Sequence, residues 1–404
     1  MEGLNNVSNK LIESVKTYFT RSLPKQIDWS QRLIEIRGSR GVGKTTLMLQ
    51  RAKEMRASGA KVMYASLDAP YFFTNGLYDF AEKALQYGIT HLFLDEVHRY
   101  PSKHKASDWS LELKNVHDAF PELCLVYSGS SILHLFKGKG DLSRRKATYL
   151  LPGLSFREYL EYRRILPAPR LSLEELLQNH ADIAQRLAKQ FKPILHFEEY
   201  LSHGYYPFYT GNETVYAQQL KDVIGLVIDL DLAEVASIAP SAKEQLKRLL
   251  GAISMTVPYV PNMHKLADLV GITDYRTLMK YLYLLEDAQL ISLLQSAAKG
   301  NKTLQKPNKI YLNNSNLSHA LSPNHFEIGT ARETFFISQL REVAEIHYPK
   351  SGDFLVNQQY IFEVGGKGKG LSQIKEVTHA YIAADGIEVG FGRKIPLWLF
   401  GFLY

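Results

Sequence analysis

Gly38-Ser39-Arg40-Gly41-Val42-Gly43-Lys44-Thr45 is the stretch on which the fold turns, because it matches Gly-x-x-x-x-Gly-Lys-[Ser/Thr] at every fixed position. Glycines let the chain turn tightly and bring backbone N–H groups close to phosphate oxygens, while the N-terminus of a following helix adds partial positive charge. The pattern therefore predicts a phosphate cradle formed by residues 38–45 with Thr46 behind them. Lys44 is expected to neutralise phosphate oxygens, and the Thr45 hydroxyl to ligate Mg²⁺. The flanks agree: Leu33-Ile34-Glu35-Ile36 is a short β-type run, and Thr46 to Ala57 has helical composition, closed by Gly59.

The other half of such a site is expected at His91-Leu92-Phe93-Leu94-Asp95-Glu96, an apolar run ending in two carboxylates. This suits a buried parallel strand whose C-terminal end opens on a ligand crevice. Asp95 would hold Mg²⁺ through water, and Glu96 would orient or deprotonate an attacking water. Lys61 to Leu67 supplies an intervening strand. Another strand, Leu123 to Tyr127, ends in Ser128-Gly129-Ser130-Ser131, where the Ser128 hydroxyl could face the γ-phosphate or the attacking water; a simple serine-glycine turn is the alternative. Arg144 and Arg145, followed by Lys146, offer planar cations for γ-phosphate charge, or else form a solvated basic loop. No Asn-Lys-x-Asp guanine motif occurs, since Asn301-Lys302-Thr303-Leu304 lacks the final Asp, so the expected ligand is ATP with Mg²⁺.

These segments, with Ser66-Leu67-Asp68, Leu94-Asp95-Glu96-Val97-His98 and Leu154-Ser155-Phe156-Arg157-Glu158-Tyr159, resemble a prokaryotic AAA-type ATPase. The resemblance is to the bacterial and archaeal group that carries a C-terminal domain of unknown function. Tyr200-Leu201-Ser202-His203-Gly204-Tyr205-Tyr206-Pro207 is similar to that group's post-ATPase segment. The resemblance implies a P-loop NTPase core, ATP hydrolysis and a sensor residue that is Asn in many such proteins. Ser128 departs from that Asn.

At 404 residues the chain is too long for one ordinary core. No apolar run approaches the roughly 18 residues a membrane helix needs, and Met1-Glu2-Gly3-Leu4-Asn5-Asn6 lacks the pattern of a signal peptide, so a cytoplasmic protein without a membrane partner is expected. The single cysteine, Cys124, excludes an internal disulfide and reads as strand filler. Against 41 Asp and Glu stand 48 Lys and Arg, a net +7 compatible with nucleic-acid phosphates without requiring them.

Beyond the core, Leu, Ala, Glu, Lys and Gln between Leu171 and Leu250 predict a helical lid or connector, with Asp229-Leu230-Asp231 a solvated helix face rather than a metal site. Leu266, Ala267, Leu269 and Val270, then Gly271, then a Thr273-Asp274 cap before Leu278, Tyr281, Leu282 and Leu285, outline two helices. Leu290 to Leu294 and Lys309 to Leu312 outline a hairpin. That is a winged helix-turn-helix outline, also found at this place in the resembling family. Its second helix would present Tyr275, Arg276 and Lys280 to DNA, or the same shape would serve a protein partner. Near the end, Arg332 to Leu340 suits a helix, Asp353-Phe354-Leu355-Val356 and Tyr360 to Val364 suit strands, and Gln373-Ile374-Lys375-Glu376 begins another helix. Glu333, Asp353 and Glu363 with Lys367 resemble a restriction-endonuclease-like site, where carboxylates bind Mg²⁺ and a lysine supports water. Such sites usually place Lys two residues after the Glu, but Gly365 stands there, which favours a retained fold that binds without cutting.

The expected architecture is α/β: an N-terminal helical segment (1–30), a P-loop NTPase core with a parallel sheet (31–165), a helical connector (166–255), a winged helix-turn-helix (256–325) and a small nuclease-like α/β domain (326–404). Three activities fit this order. They are an Mg²⁺-dependent ATPase that moves its C-terminal modules, an ATP-gated DNA nuclease, and a slow ATP-binding switch that engages a protein partner.

Overall fold

The computed structural model describes residues 1–101, 108–136, 138, 140–236, 238–297, 305–322, 327–370 and 377–404. The chain forms two compact units, Met1–Pro152 with Asp231–Ser237, and Gly153–Leu230 with Ile238–Tyr404.

The first unit runs α1 (Glu2–Ser14), β1 (Leu33–Arg37), α2 (Lys44–Ala57), β2 (Val62–Ser66), α3 (Leu77–Gln86), β3 (His91–Asp95), α4 (Trp109–Ala119), β4 (Cys124–Gly129) and β5 (Ala147–Leu150). Its five strands pair in the order β2-β3-β4-β1-β5, all parallel. Residues Leu33 to Ile36 are buried on both strand faces, as expected of a sheet with helices on each side. Leu92, Leu94, Leu125 and Tyr127 meet Phe80 and Leu113 in the core. Because all strands point the same way, the segments after β1, β3 and β4 emerge on one edge. With β4 between β1 and β3, Ser128 lies between the phosphate loop and the paired acids.

One piece of this unit comes from far along the chain. It begins at Asp231, the last residue of a π-helical turn (Val227–Asp231), and continues into the short helix Leu232–Ala236. Leu232 and Val235 are buried, and the helix packs on the turn Ser131–Leu135 that follows β4. From sequence alone this stretch belongs to the connector, with Asp231 on a solvated face. Asp231 is instead fully buried, whereas Asp229 keeps a half-solvated side chain paired with Lys247. An acidic residue reads as solvated until its buried partners are known.

With the short helix Leu232–Ala236 of the first unit numbered α9, the second unit runs α5 (Phe156–Tyr162), α6 (Leu173–Ala188), α7 (Pro193–His203), α8 (Glu213–Leu226), then α10 (Pro240–Ser254), α11 (Met263–Val270), α12 (Tyr275–Asp287), β6 (Ile291–Leu294), β7 (Lys309–Leu312), α13 (Ser315–Leu321), α14 (Ile328–Leu340) and β8 (Ile346–His347). It ends with β9 (Phe354–Val356), β10 (Tyr360–Gly365), β11 (Ala380–Ala384) and β12 (Lys394–Pro396). Helix α11 stops at Gly271, whose left-handed φ of 68° suits a residue without Cβ, and Asp274 caps α12 through the Thr277 N–H. An antiparallel hairpin of β6 and β7 follows. Arg276 and Lys280 are exposed on α12. The last five strands form a mixed sheet in the order β12-β11-β10-β9-β8. The helix expected from Gln373 to Glu376 lies outside the described residues. No helix among the described residues is long and apolar enough to cross a membrane.

Candidate nucleotide site

The loop between β1 and α2 takes its shape from glycines used for different reasons. Gly41 and Gly43 have φ of 84° and 99°, the left-handed region that disfavours other residues. Gly38 needs space instead: a Cβ there would sit 2.4 Å from the Leu151 carbonyl oxygen. The buried guanidinium of Arg21 ties the loop down, donating to the carbonyls of Val42 and Pro152, both at 2.8 Å. Val42 itself is buried, while Thr45 and Thr46 stay exposed at the first turn of α2.

Lys44 is folded into this cradle, donating to the carbonyls of Gly38 (2.9 Å) and Ser39 (3.1 Å). Burial lowers its pKa, although Glu96 and Asp95 act against that. A buried ammonium held by backbone carbonyls is chemically suited to an anion.

Asp95 ends β3 and is surrounded by donors. Its Oδ2 accepts from Thr45 Oγ1 at 2.5 Å and from the Tyr64 hydroxyl at 2.8 Å, while its Oδ1 accepts from Ser128 Oγ and from the Glu96 N–H. Burial, and then the Asp95 charge, raise the Tyr64 pKa far above its usual value, so it remains a donor. Thr45 and Asp95 are the hard oxygen pair that a Mg²⁺ ion with most of its waters would take, so the residues fit that ion.

Glu96 has a left-handed backbone, φ 53° and ψ 45°, an unusual conformation for a residue with a side chain and one that gathers at functional sites. Its Oε2 lies 3.4 Å from Arg40 Nη2, 3.5 Å from His98 Nε2 and 3.5 Å from Arg99 Nε. Asp231 completes the group. Arg40 grips it with two hydrogen bonds, Nη2 to Oδ1 at 2.6 Å and Nε to Oδ2 at 2.9 Å, and His98 and Arg99 stand 3.6 and 3.7 Å away. Burial disfavours the Asp231 carboxylate, but His98 and Arg40 outweigh it and hold its pKa at about 2.

Residues 30–160 match an AAA domain. Residues 194–327 match a domain of unknown function, DUF8612. No curated protein matches the chain. Among solved structures it is similar to AMPPCP-bound DnaA from Aquifex aeolicus (15% identity, 70% of this chain and 88% of that one, TM-score 0.27). Others are Aeropyrum pernix ORC1 in complex with DNA (14%, 79% and 91%, 0.28) and the S. cerevisiae Hsp104-ADP complex (15%, 69% and 41%, 0.32).

The structure does not bring every expected residue to the AAA-domain site. Arg144 and Arg145 precede β5, which pairs in parallel with β1 from Ile34↔Ala147 onward. They therefore lie at the sheet edge opposite the phosphate loop, roughly 15 Å of strand away. Arg145 instead binds Asp118 at 2.8 Å and holds its carboxyl well below the usual range, and Arg144 is highly exposed beside Asp141. Neither can stabilise a phosphate in its own loop. Lys146 is structural, 3.0 Å from both oxygens of the buried Glu35 in β1. Ser128 is near the site but bonded to Asp95.

In the second unit, Lys309 sits between two of the expected nuclease carboxylates, 3.1 Å from Glu333 Oε2 and 3.4 Å from Asp353 Oδ1. Burial would lower its pKa, but the two acids prevail and raise it. Tyr311 also donates to Glu333, at 2.6 Å. Glu363 is fully buried on β10, and the lysine near it is Lys369, at 3.5 Å, not Lys367. The turn closed by the Lys369 N–H to the Gly366 carbonyl folds Lys369 back over Gly365. No cluster of three or more His, Cys, Asp or Glu suited to a metal occurs among the described residues.

Sequence reasoning missed Arg21, Tyr64, His98, Arg99 and Asp231 as parts of the AAA-domain site. His98 and Arg99 stand just beyond the acid pair, after Val97, and carried a signal; Arg21 carried none.

Proposed function

We propose that this chain binds Mg²⁺-ATP in the loop at residues 38–46 and hydrolyses it. The observation that carries this reading is the Thr45–Asp95 contact beside a buried Lys44 and a left-handed Glu96. Lys44 and the N–H groups at the start of α2 hold phosphate oxygens. Thr45 and Asp95 would hold magnesium, which when bound would supply charge neutralisation on those oxygens. Glu96 orients the attacking water and takes up its proton, and Ser128 fixes Asp95. A phosphate-release assay tests this: Glu96→Gln should lower turnover at least about a hundredfold while ATP still binds. Normal turnover in that variant would reject the role of Glu96.

In the second unit, the helix–turn–helix and hairpin at residues 256–325 act as a binding module driven by the nucleotide state. Arg276 and Lys280 are its contacts with DNA phosphates or an acidic protein surface. The end at residues 326–404 serves docking rather than cleavage, a reading supported by Lys309 standing between Glu333 and Asp353. One observation favours a slow ATP-binding switch as the second reading: Glu96, the proposed base, faces Arg40, His98 and Arg99 together.

A further inference from the structure

Arg40 belongs to the phosphate loop, yet its guanidinium is gripped by a carboxylate that lies 191 residues further along the chain. The bidentate geometry and the full burial of Asp231 make this the tightest ion pair at the site. Arg40, Asp231, Glu96 and Asp95 all act electrostatically on Lys44, so one field contains the phosphate-binding lysine and the Arg40–Asp231 pair. The cationic side chains Lys44, Arg40 and Arg99, with His98 beside them, face the carboxylates Asp95, Glu96 and Asp231 there. A magnesium-bound triphosphate entering this field brings a net negative charge, which a buried carboxylate at Arg40 opposes.

We propose that Asp231 is a tethered counter-anion that competes with the terminal phosphate of a nucleoside triphosphate for Arg40, so that binding of the triphosphate releases Asp231 and the short helix behind it. This rests on the nucleotide reading above and adds to it the residue that distinguishes triphosphate from diphosphate. Arg40 also touches Glu96, so its transfer to phosphate removes a cation from the proposed base. Asp231 is followed by Leu232–Ala236, packed on the turn after β4. The chain on both sides of this insert belongs to the second unit, so the residue that Arg40 releases is covalently continuous with that unit.

The test uses the full chain, with Mg²⁺ and either β,γ-methylene-ATP or ADP, measured by calorimetry. Asp231→Asn should bind the triphosphate analogue about tenfold more tightly and change ADP affinity less than about twofold. The gain should vanish in the Arg40→Gln background, as coupling between the two side chains requires. In the parent protein, the analogue and not ADP should speed hydrogen exchange of the amides at 231–236. Equal shifts for both nucleotides, or a triphosphate affinity unchanged or weakened by Asp231→Asn, would overturn the competition and leave Asp231 a structural ion pair. If Asp231→Asn does not fold, exchange in the parent decides, and amides that stay equally protected with both nucleotides overturn it. A parent that binds neither nucleotide rejects the nucleotide reading itself, and this inference with it.

Discussion

Replacing Asp95 by Asn should loosen the whole sheet of the first unit, before any nucleotide is added. Thr45, Tyr64, Ser128 and the Glu96 N–H all donate to the Asp95 carboxylate. Ser128 is fully buried and Tyr64 nearly so, leaving their hydroxyls no recourse to water. A hydrogen bond to a charged acceptor contributes about 1 kcal/mol more than one to a neutral acceptor, so three hydroxyl contacts amount to about 3 kcal/mol. An amide also turns one acceptor into a donor that meets other donors, while burying one charge fewer offsets part of the loss. The net expected destabilisation is about 2–3 kcal/mol. Thr45→Val removes a single contact from an exposed residue and should cost about 1 kcal/mol. Native-state hydrogen exchange of the β3 and β4 amides reads the difference, supported by urea unfolding followed at Trp29 and Trp109, both in the first unit. If Asp95→Asn costs less than about 0.5 kcal/mol, or no more than Thr45→Val, the four contacts do not act as one network and the account of Asp95 fails.

Gly38→Ala should cost about 1–3 kcal/mol and abolish tight ATP binding, because its Cβ must displace the carbonyl of Leu151, a residue whose own N–H donates to the Arg37 carbonyl; unaltered nucleotide affinity by calorimetry would show that the loop tolerates the extra carbon. Changing Arg144 and Arg145 together to Ala should leave phosphate release within about twofold of the parent, because both sit at the opposite sheet edge and exposed pairs contribute little. A loss of a hundredfold or more would mean that they reach a phosphate after all.

The loop between β1 and α2 is legible because its signature is local: glycines, lysine and threonine fall within eight consecutive positions, and the strand and helix beside them follow from composition. The acid pair was legible for a similar reason, since a buried strand shows as an unbroken apolar run that stops at Asp95. What the sequence could not show was which distant groups those residues meet. Arg144 and Arg145 looked available for phosphate because a basic run carries no sign of which sheet edge it occupies; parallel pairing of β5 with β1 decides that. Lys369 replaced Lys367 opposite Glu363 because a turn, rather than a fixed spacing, sets which lysine returns. Asp231 was read as solvated because its neighbours in sequence are not its neighbours in space. Its partners Arg40, His98 and Arg99 are more than a hundred residues earlier.

That re-entry of the chain bears on how the protein can be cut. A fragment ending at residue 160, where the AAA-domain match stops, keeps the loop, the acids and every strand of the first sheet. It loses the Asp231 carboxylate that Arg40 holds bidentately, along with the apolar cover that Leu232 and Val235 lay over the turn at Ser131–Leu135. Such a piece would expose a bare hydrophobic strip beside surplus positive charge, and its aggregation or indiscriminate anion capture would reflect the missing insert rather than the behaviour of the intact chain.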